Sequence, residues 1–206
     1  MDENLLLQFN RIADGLADPG ISVTDGFLTS DEVAAVRGHE AFASERKRFH
    51  QAAVGKQAGK QINEAIRGDY IQWINPQTAP APMQPYINRL RALVSFLNQA
   101  LFLSLKDFEI HLTVYPPGSF YKRHLDQFKQ EDHRKLSIIC YLNDDWQDSD
   151  GGQLRVYFPD TVQDFLPLAG RLICFRSDLL EHEVLPATRE RLSITGWMLD
   201  VTATGL

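Results

Sequence analysis

The order of apolar and polar residues divides the chain into a helical first half and a second half made of strands. Apolar residues at helical spacing predict one helix over about residues 5–16, a second from Thr29 and a third over about residues 85–103. Thr29 and Glu32 have the spacing of a capping box, which marks the start of the second helix. The third helix is predicted to bury one stripe of side chains, formed by Ile87, Leu90, Val94, Leu97 and Leu101.

Short apolar runs separated by turn residues make up the second half. The predicted strands are residues 71–74, 109–115, 136–142, 153–158, 171–175 and 191–199. Helices followed by many short strands indicate an α+β protein, with helices packed on a β-sandwich or barrel. Alternate residues of the last strand share a face, so a mixed polar and aromatic set is predicted to face the barrel interior. These residues are Arg191, Ser193, Thr195 and Trp197.

A basic segment precedes the first predicted strand. Residues 44–68 contain six lysines and arginines opposed by two glutamates, and Gly55 and Gly59 loosen the backbone. One interpretation is a solvated loop. The other is a mobile, basic lid over about residues 50–68, beside a binding site.

The composition is that of an ordinary globular protein. Hydrophobic residues make up 44% and charged residues 23% of the 206 positions. We expect a single domain over residues 1–206, because this length suits one large hydrophobic core. Its helical support is expected over about residues 1–105 and its strand core over about residues 65–200.

Charge and hydropathy argue against two classes of partner. The net charge of -6 disfavours nucleic acid, because duplex binding depends on neutralising phosphates. No membrane partner is expected, since no apolar stretch approaches the roughly 20 residues of a membrane span.

The acidic N-terminus lacks the basic region of a signal peptide. Cys140 and Cys174 lie in strand-like runs and are predicted to be buried thiols in a reducing compartment, so we expect a cytoplasmic protein.

Three residues could form a metal site. His124 and Asp126 are two apart, so they point the same way on an extended segment, and His182 lies before the last strand. Two imidazoles and a carboxylate can hold Fe(II) on one face and leave the opposite positions open. Singly, His124 could be a surface residue and His182 a solvated one, and a zinc site with the same ligands stays open. The other histidines, expected to be structural or solvated, are His39, His50, His111 and His133.

Arg191 opens the last strand and is predicted to point inward. A buried guanidinium is costly without a carboxylate partner. Its inward neighbours Thr195 and Trp197 are not acidic, which favours the carboxylate of a ligand over an internal salt bridge. Together with the metal face, Arg191 indicates an iron enzyme that uses 2-oxoglutarate and O2.

Several stretches resemble the 2-oxoglutarate/Fe(II)-dependent prolyl 4-hydroxylases. They are residues 115–126, 134–146, 151–159 and 182–197. The Arg-Gly-Asp run at 67–69, followed by Ile-Gln-Trp-Ile, is most similar to the oxygen-sensing members, which hydroxylate hypoxia-inducible transcription factors in animals. The resemblance extends over roughly residues 20–200.

The resemblance implies a fold and a reaction. The fold is α+β, with a double-stranded β-helix core, the jelly roll of cupin-like oxygenases, and supporting N-terminal helices. The reaction is hydroxylation at C4 of a prolyl residue in a protein, giving succinate and CO2. It uses Fe(II), 2-oxoglutarate and O2, with ascorbate as reductant. Whether the enzyme acts in oxygen sensing or as a constitutive modifier depends on its O2 affinity and stays open.

The resemblance also implies roles for individual residues. The metal ligands would be His124, Asp126 and His182, and with Arg191 they form the catalytic set. The residues around 2-oxoglutarate would be Arg191, Tyr141, Tyr115 and Thr195. The residues around the substrate would be Trp197, Arg134, Asp69 and Arg67, with Asp69 and Arg134 paired so as to tie the lid to the core.

The expected partner is a protein substrate with an exposed proline loop, bound by a monomer. The lid sequence matches the family loosely, so the target protein stays open. Two alternatives remain at this point. One is a 2-oxoglutarate oxygenase that acts on a small molecule or nucleobase, and the other is a non-catalytic jelly-roll binding module.

Overall fold

The computed structural model describes residues 2–39, 42, 48–52, 63, 65–127 and 133–203. In this part of the chain the α-helices are Glu3–Ala17 (α1), Ser30–Arg37 (α2) and Gln84–Leu101 (α3). The strands are Ile21–Thr24 (β1), His50–Gln51 (β2), Tyr70–Ile74 (β3), Asp107–Tyr115 (β4), Tyr121–His124 (β5), Arg134–Tyr141 (β6), Leu154–Tyr157 (β7), Val162–Phe165 (β8), Leu172–Arg176 (β9), Glu181–Val184 (β10) and Arg191–Leu199 (β11).

The strands form two antiparallel sheets. The larger has the order β1-β9-β6-β11-β4-β3-β2, and the smaller has the order β5-β10-β7-β8. A cluster of buried side chains from both sheets, including Tyr141, Val156 and Phe175, joins their inner faces. This arrangement confirms the predicted α+β fold with a double-stranded β-helix core.

The helices cover the outer face of the larger sheet. The capping box of α2 is present, because the Thr29 hydroxyl accepts from the Glu32 amide and the Glu32 carboxylate accepts from the Thr29 amide. In α3 the prediction is right for Ile87, Leu90 and Leu97 but wrong for Val94 and Leu101, which are only partly buried. Tyr86 and Leu93 are buried in addition. Because the apolar face of α3 is broad, the packing against α1 and the sheet decides which of its residues lie innermost.

The alternation on β11 is confirmed. Leu192, Ile194 and Met198 belong to the core beneath the helices. On the opposite face, Arg191, Thr195 and Trp197 line the space between the sheets. The pairing of β11 with β4 holds this face in register over its whole length, and the pairing of β11 with β6 begins at Ser193.

Five short strands were not predicted: β1, β2, β5, β8 and β10. Two of them, β5 and β10, carry site residues, and His182 lies within β10 and not in a loop before the last strand. Their outward side chains are charged, and Arg123 pairs with Glu181 across the two strands. A strand with one charged face and only four residues has too little hydrophobic pattern to be recognised.

Cys140 and Cys174 are free and buried, as predicted. No helix of the described residues is long and apolar enough to cross a membrane. Of the predicted lid, residues 53–62 and 64 lie outside the described residues.

Candidate metal centre and substrate groove

The two predicted histidine ligands lie side by side at one end of the space between the sheets. His124 ends β5 and is directly opposite His182 of β10 in the antiparallel register. Asp126 follows two residues after His124, and the ligand atoms of all three side chains lie within 4.8 Å of one another. The structure therefore brings together the three residues that the sequence suggested as a metal site.

Hydrogen bonds determine which nitrogen of each imidazole carries its lone pair. Nδ1 of His124 lies 2.7 Å from the Lys122 carbonyl oxygen, and Nδ1 of His182 lies 3.2 Å from that of Leu180. Since a carbonyl only accepts, each Nδ1 carries the proton. In the neutral rings both Nε2 lone pairs then lie near the Asp126 carboxylate oxygens, at 3.5 and 3.7 Å. These groups repel unless a cation lies between them, so the donor set fits a metal ion.

The charge states of the three residues also suit a metal. Burial lowers the pKa of His182 to about 4, although the Asp126 charge opposes it, so this ring is neutral at pH 7. Burial favours a higher pKa for Asp126, but His182, His124 and Ser137 together lower it well below its usual range. The Ser137 hydroxyl donates to Asp126 at 2.6 Å and lies 2.8 Å from the Ser177 hydroxyl. These two buried hydroxyls orient the carboxylate.

Arg191 lies on the same inner face and is only 2% exposed. Its Nε donates to the Gly152 carbonyl at 2.9 Å, and Nη2 donates to the Tyr141 hydroxyl at 3.3 Å. The Tyr115 ring lies 5.1 Å from the guanidinium carbon. No carboxylate within the described ranges forms an ion pair with Arg191, which agrees with the prediction that its anionic partner is a ligand.

Gly152 shapes this arginine site through its lack of a side chain. Its φ of +70° lies in the left-handed region, and an added Cβ would be 3.0 Å from Ala187, 3.1 Å from Trp146 and 3.3 Å from the Cδ of Arg191. The Trp146 indole in turn donates to the Gly151 carbonyl at 2.9 Å. The two glycines and Trp146 therefore hold the carbonyl that fixes the arginine.

We expect Gly152→Ala to weaken 2-oxoglutarate binding, because the new methyl group displaces the arginine stem. The KM for 2-oxoglutarate in succinate release should rise roughly tenfold, from the loss of about 1.4 kcal/mol of binding, which is near the lower end of the range for a hydrogen bond to a charged group. Gly26→Ala is the matched control, since Gly26 also has a left-handed φ of +68° but no atom within 4 Å of an added Cβ. An unchanged KM in Gly152→Ala would contradict the role of this glycine.

A groove with a volume of about 750 Å³ contains the metal ligands and Arg191. Its far wall is aromatic, since the Trp73 and Trp197 ring centroids lie 6.4 Å apart. Exposed residues such as Lys122 also line it, so the groove opens to solvent. An extended segment of another protein can therefore reach the metal ligands from this side.

The predicted pair of Asp69 with Arg134 is wrong. Asp69 is fully buried and accepts two hydrogen bonds from Arg67, at 2.7 and 2.6 Å. Arg134 instead donates two hydrogen bonds to Glu109, at 3.0 and 2.7 Å. The strands β4 and β6 flank β11, so Glu109 and Arg134 both reach over Trp197, whose ring centroid is 3.5 Å from the guanidinium carbon.

The remaining predicted residues also lie around the groove. Thr195 lines it and its hydroxyl is 3.1 Å from that of Ser193. The Trp197 ring forms part of the wall next to Trp73. Tyr141 and Tyr115 are fully or almost fully buried beside Arg191, and burial raises the pKa of both phenols, so each keeps its hydroxyl proton at pH 7.

His111 lines the groove, although the sequence predicted that this residue is structural or solvated. It is 2% exposed, its Nδ1 is 2.9 Å from the Thr113 hydroxyl, and its ring packs edge-on against Trp73 at 4.9 Å. The pattern that could have identified it is the alternation of β4, in which His111 shares a face with Thr113 and Tyr115.

We expect the free energy of unfolding to fall between pH 7 and pH 5 because His111 stays neutral in the folded protein. Burial lowers the pKa of His111 to about 4, although the Asp69 charge opposes it. In the unfolded chain histidine titrates near 6.5, so below that pH the unfolded state binds the proton first and is favoured. The loss should reach about 2 kcal/mol at pH 5 and be absent above the unfolded pKa.

Urea unfolding of the metal-free protein at both pH values measures this effect. Between pH 7 and pH 5, the free energy of unfolding of His111→Leu should fall by about 2 kcal/mol less than that of the parent, whatever its value at pH 7. Equal losses in the two proteins would show that His111 is not held neutral by burial.

Tyr121 is a second residue that the sequence did not identify. Its ring stacks on the His124 ring with centroids 3.6 Å apart and an angle of 17° between the planes. The short strand β5 carries both residues. Only the geometry of this strand shows the contact, because residues three apart on an ideal strand point to opposite faces.

Comparison with known proteins agrees with the fold and the site. Residues 110–199 match the model of the 2OG-Fe(II) oxygenase superfamily. The chain is 31% identical to the hypoxia-inducible factor prolyl hydroxylase of Caenorhabditis elegans over 95% of its own length, but spans only 29% of the length of that relative.

Two solved structures are similar over nearly the whole chain. A prolyl-4-hydroxylase from Pseudomonas putida is 43% identical, with a TM-score of 0.83 over 93% of this chain and 98% of the other. A prolyl hydroxylase from Trichoplax adhaerens, in complex with a peptide fragment of the hypoxia-inducible factor oxygen degradation domain, is 28% identical. Its TM-score is 0.85, over 96% of this chain and 91% of the other.

Proposed function

Because the chain belongs to the prolyl 4-hydroxylases of the 2OG-Fe(II) oxygenase superfamily, we propose that it hydroxylates C4 of a prolyl residue in a protein substrate. The co-substrates are 2-oxoglutarate and O2, and the other products are succinate and CO2. One observation carries the proposal: the donor set of His124, Asp126 and His182 shares an open groove with Arg191, a buried cation whose described surroundings offer no carboxylate.

The metal of this reaction would be Fe(II), and Nε2 of His124, Nε2 of His182 and a carboxylate oxygen of Asp126 would hold it. When bound, it supplies the oxidation of 2-oxoglutarate by O2 that delivers an oxygen atom to the prolyl ring. The protein contributes the fixed orientation of the ligands. The Lys122 and Leu180 carbonyls hold the imidazoles, and Ser137 holds the carboxylate.

Arg191 binds the carboxylate of 2-oxoglutarate that is remote from the metal. The Tyr141 hydroxyl accepts from the guanidinium and so has its own proton free to donate to the same carboxylate. The Tyr115 ring lines the groove beside them. A buried anion site of this kind excludes water from the cosubstrate.

The protein substrate occupies the open part of the groove. Trp197, with Arg134 stacked on it, forms an aromatic wall for the prolyl ring. The Arg67–Asp69 pair lines the groove at the C-terminal end of the predicted lid segment. The relative from Caenorhabditis elegans is named a hypoxia-inducible factor prolyl hydroxylase, and the one from Trichoplax adhaerens holds a peptide of that factor, so an oxygen-sensing role belongs to this proposal. A monomeric state and a cytoplasmic location remain predictions.

Succinate release from 2-oxoglutarate tests the function. The protein is supplied with Fe(II), ascorbate and O2, with and without proline-containing proteins of the host, beside a His124→Ala control. We expect succinate to rise with added protein, to be absent in the variant, and to accompany an added oxygen on a prolyl residue found by mass spectrometry.

Two other outcomes would overturn the proposal. Turnover raised only by small metabolites would leave the iron site but replace the protein substrate by a small molecule. Metal binding without succinate under every condition would point to a non-catalytic binding module.

A further inference from the structure

Three side chains form a continuous stack that ends on a metal ligand. The Tyr121 ring lies on the His124 imidazole, with centroids 3.6 Å apart and planes nearly parallel at 17°. On its other face, the guanidinium carbon of Arg67 lies 4.3 Å from the ring centroid. A cation over a phenol ring and a phenol ring over an imidazole are both attractive contacts.

The outer end of the stack is fixed. Arg67 donates two hydrogen bonds to Asp69, which is fully buried. Separating the two side chains would leave the charge of Asp69 buried and uncompensated, which is costly. The backbone holds the same place, because the Gly68 amide donates to the Phe120 carbonyl at 3.0 Å and the Lys122 amide donates to that of Ile66 at 2.9 Å. Residues 66–69 therefore continue the sheet beside β5.

The inner end of the stack is held by one hydrogen bond besides its ring contacts, which are the flat contact with Tyr121 and a tilted contact with His182 at 4.3 Å. Nδ1 of His124 donates to the Lys122 carbonyl, which sets the tautomer but leaves the imidazole free to tilt about that hydrogen bond. The flat contact with Tyr121 removes this tilt. The ring plane, and with it the direction of the Nε2 lone pair, depends on Tyr121 and on the cation above it.

We infer that Arg67 and Tyr121 are positioning residues that fix the His124 ring and couple residues 66–69 to the affinity of the metal site. The inference rests on the metal site of the proposed function. Since residues 66–68 end the predicted lid segment and Asp69 follows it, a protein substrate that contacts these residues would act on the metal ligand through the stack. Coupling is reciprocal, so metal binding also stabilises the pairing of residues 66–69 with β5.

The first test is the affinity for Mn(II) in the full chain, measured from the electron paramagnetic resonance of the free ion. Tyr121→Leu should raise the dissociation constant roughly tenfold, the lower end of the range for outer partners of metal ligands. Tyr121→Phe keeps the ring and should bind as the parent does. Tyr157→Leu is the matched control, because Tyr157 also lies beneath an arginine, Arg123, at 3.9 Å but does not contact a ligand.

The second test removes the cation and leaves the Tyr121 ring in place. Arg67→Gln should also weaken Mn(II) binding, and adding it to Tyr121→Leu should have no further effect, because the ring transmits the influence of the arginine. In the parent, Mn(II) should slow hydrogen exchange of the Gly68 and Lys122 amides. Arg67→Gln should abolish that protection.

The outcomes separate this inference from the proposed function. Parent-like affinity in both Tyr121→Leu and Arg67→Gln would overturn the coupling while leaving the metal site in place. Additive effects of the two substitutions would overturn transmission through the ring. A parent protein that binds no Mn(II) would overturn the metal site itself, and the proposed function with it.

Discussion

Replacing His182 with alanine is expected to abolish both metal binding and succinate release. The side chain is 4% exposed and contributes one of three ligand atoms, and its Nδ1 hydrogen bond already holds the ring in position. Loss of an outer partner alone weakens metal sites by 10- to 100-fold, so loss of a ligand should exceed about 100-fold. Titration with Mn(II), followed by the succinate assay, measures both effects.

The control separates metal loss from loss of structure. His182 packs edge-on against Phe175 at 4.7 Å, so alanine leaves a cavity, whereas His182→Gln fills more of the space and should share the metal defect. His39→Ala removes a histidine that does not line the groove and should bind Mn(II) normally. Parent-like succinate release in both His182 variants would eliminate His182 as a ligand.

The long, regular elements could be predicted from the sequence. The strands β4, β6 and β11 have eight or nine residues each, and their burial follows from one hydrophobic face toward the helices. The inward direction of Arg191 followed from that alternation alone. The absence of a carboxylate partner among the described residues could be predicted from the inward neighbours of Arg191, because Thr195 and Trp197 carry no carboxylate.

The parts that could not be predicted depend on contacts between distant segments. The strands β5 and β10 are strands because they pair with each other, and their outward charges, Arg123 and Glu181, form an ion pair that is invisible in either segment alone. The stack of Tyr121 on His124 depends on the backbone of a four-residue strand. No periodic pattern specifies a ring contact of that kind.

The wrong partner for Asp69 has the same origin. On residue type alone, Arg67 and Arg134 are both able to pair with a buried carboxylate. In the structure Asp69 pairs with Arg67, which lies two residues before it in the chain. Arg134 pairs with Glu109, on the other side of β11. Pairing of charges is decided by which strands are neighbours, and the resemblance of short motifs does not carry that information.

Arg191→Met is expected to remove most of the affinity for 2-oxoglutarate while leaving the metal site intact. The guanidinium has five N–H donors. One Nε–H is used by the Gly152 carbonyl and one Nη2–H by the Tyr141 hydroxyl, so donors remain for a carboxylate. Removing one partner of a buried charge pair costs about 3–5 kcal/mol, which corresponds to a rise in KM of at least about 100-fold.

Methionine suits this test because it keeps the apolar stem of the arginine and removes its charge. Mn(II) affinity should match the parent, and 2-oxoglutarate should raise the unfolding temperature of the parent but not of Arg191→Met. Arg155→Met controls for the loss of a positive charge, since Arg155 pairs with Asp164 on the outward face of the smaller sheet. An unchanged KM for 2-oxoglutarate would mean that the buried cation serves another anion. The proposed reaction would then lose its cosubstrate site, because Arg191 is the buried arginine of the described groove that has no protein carboxylate as partner.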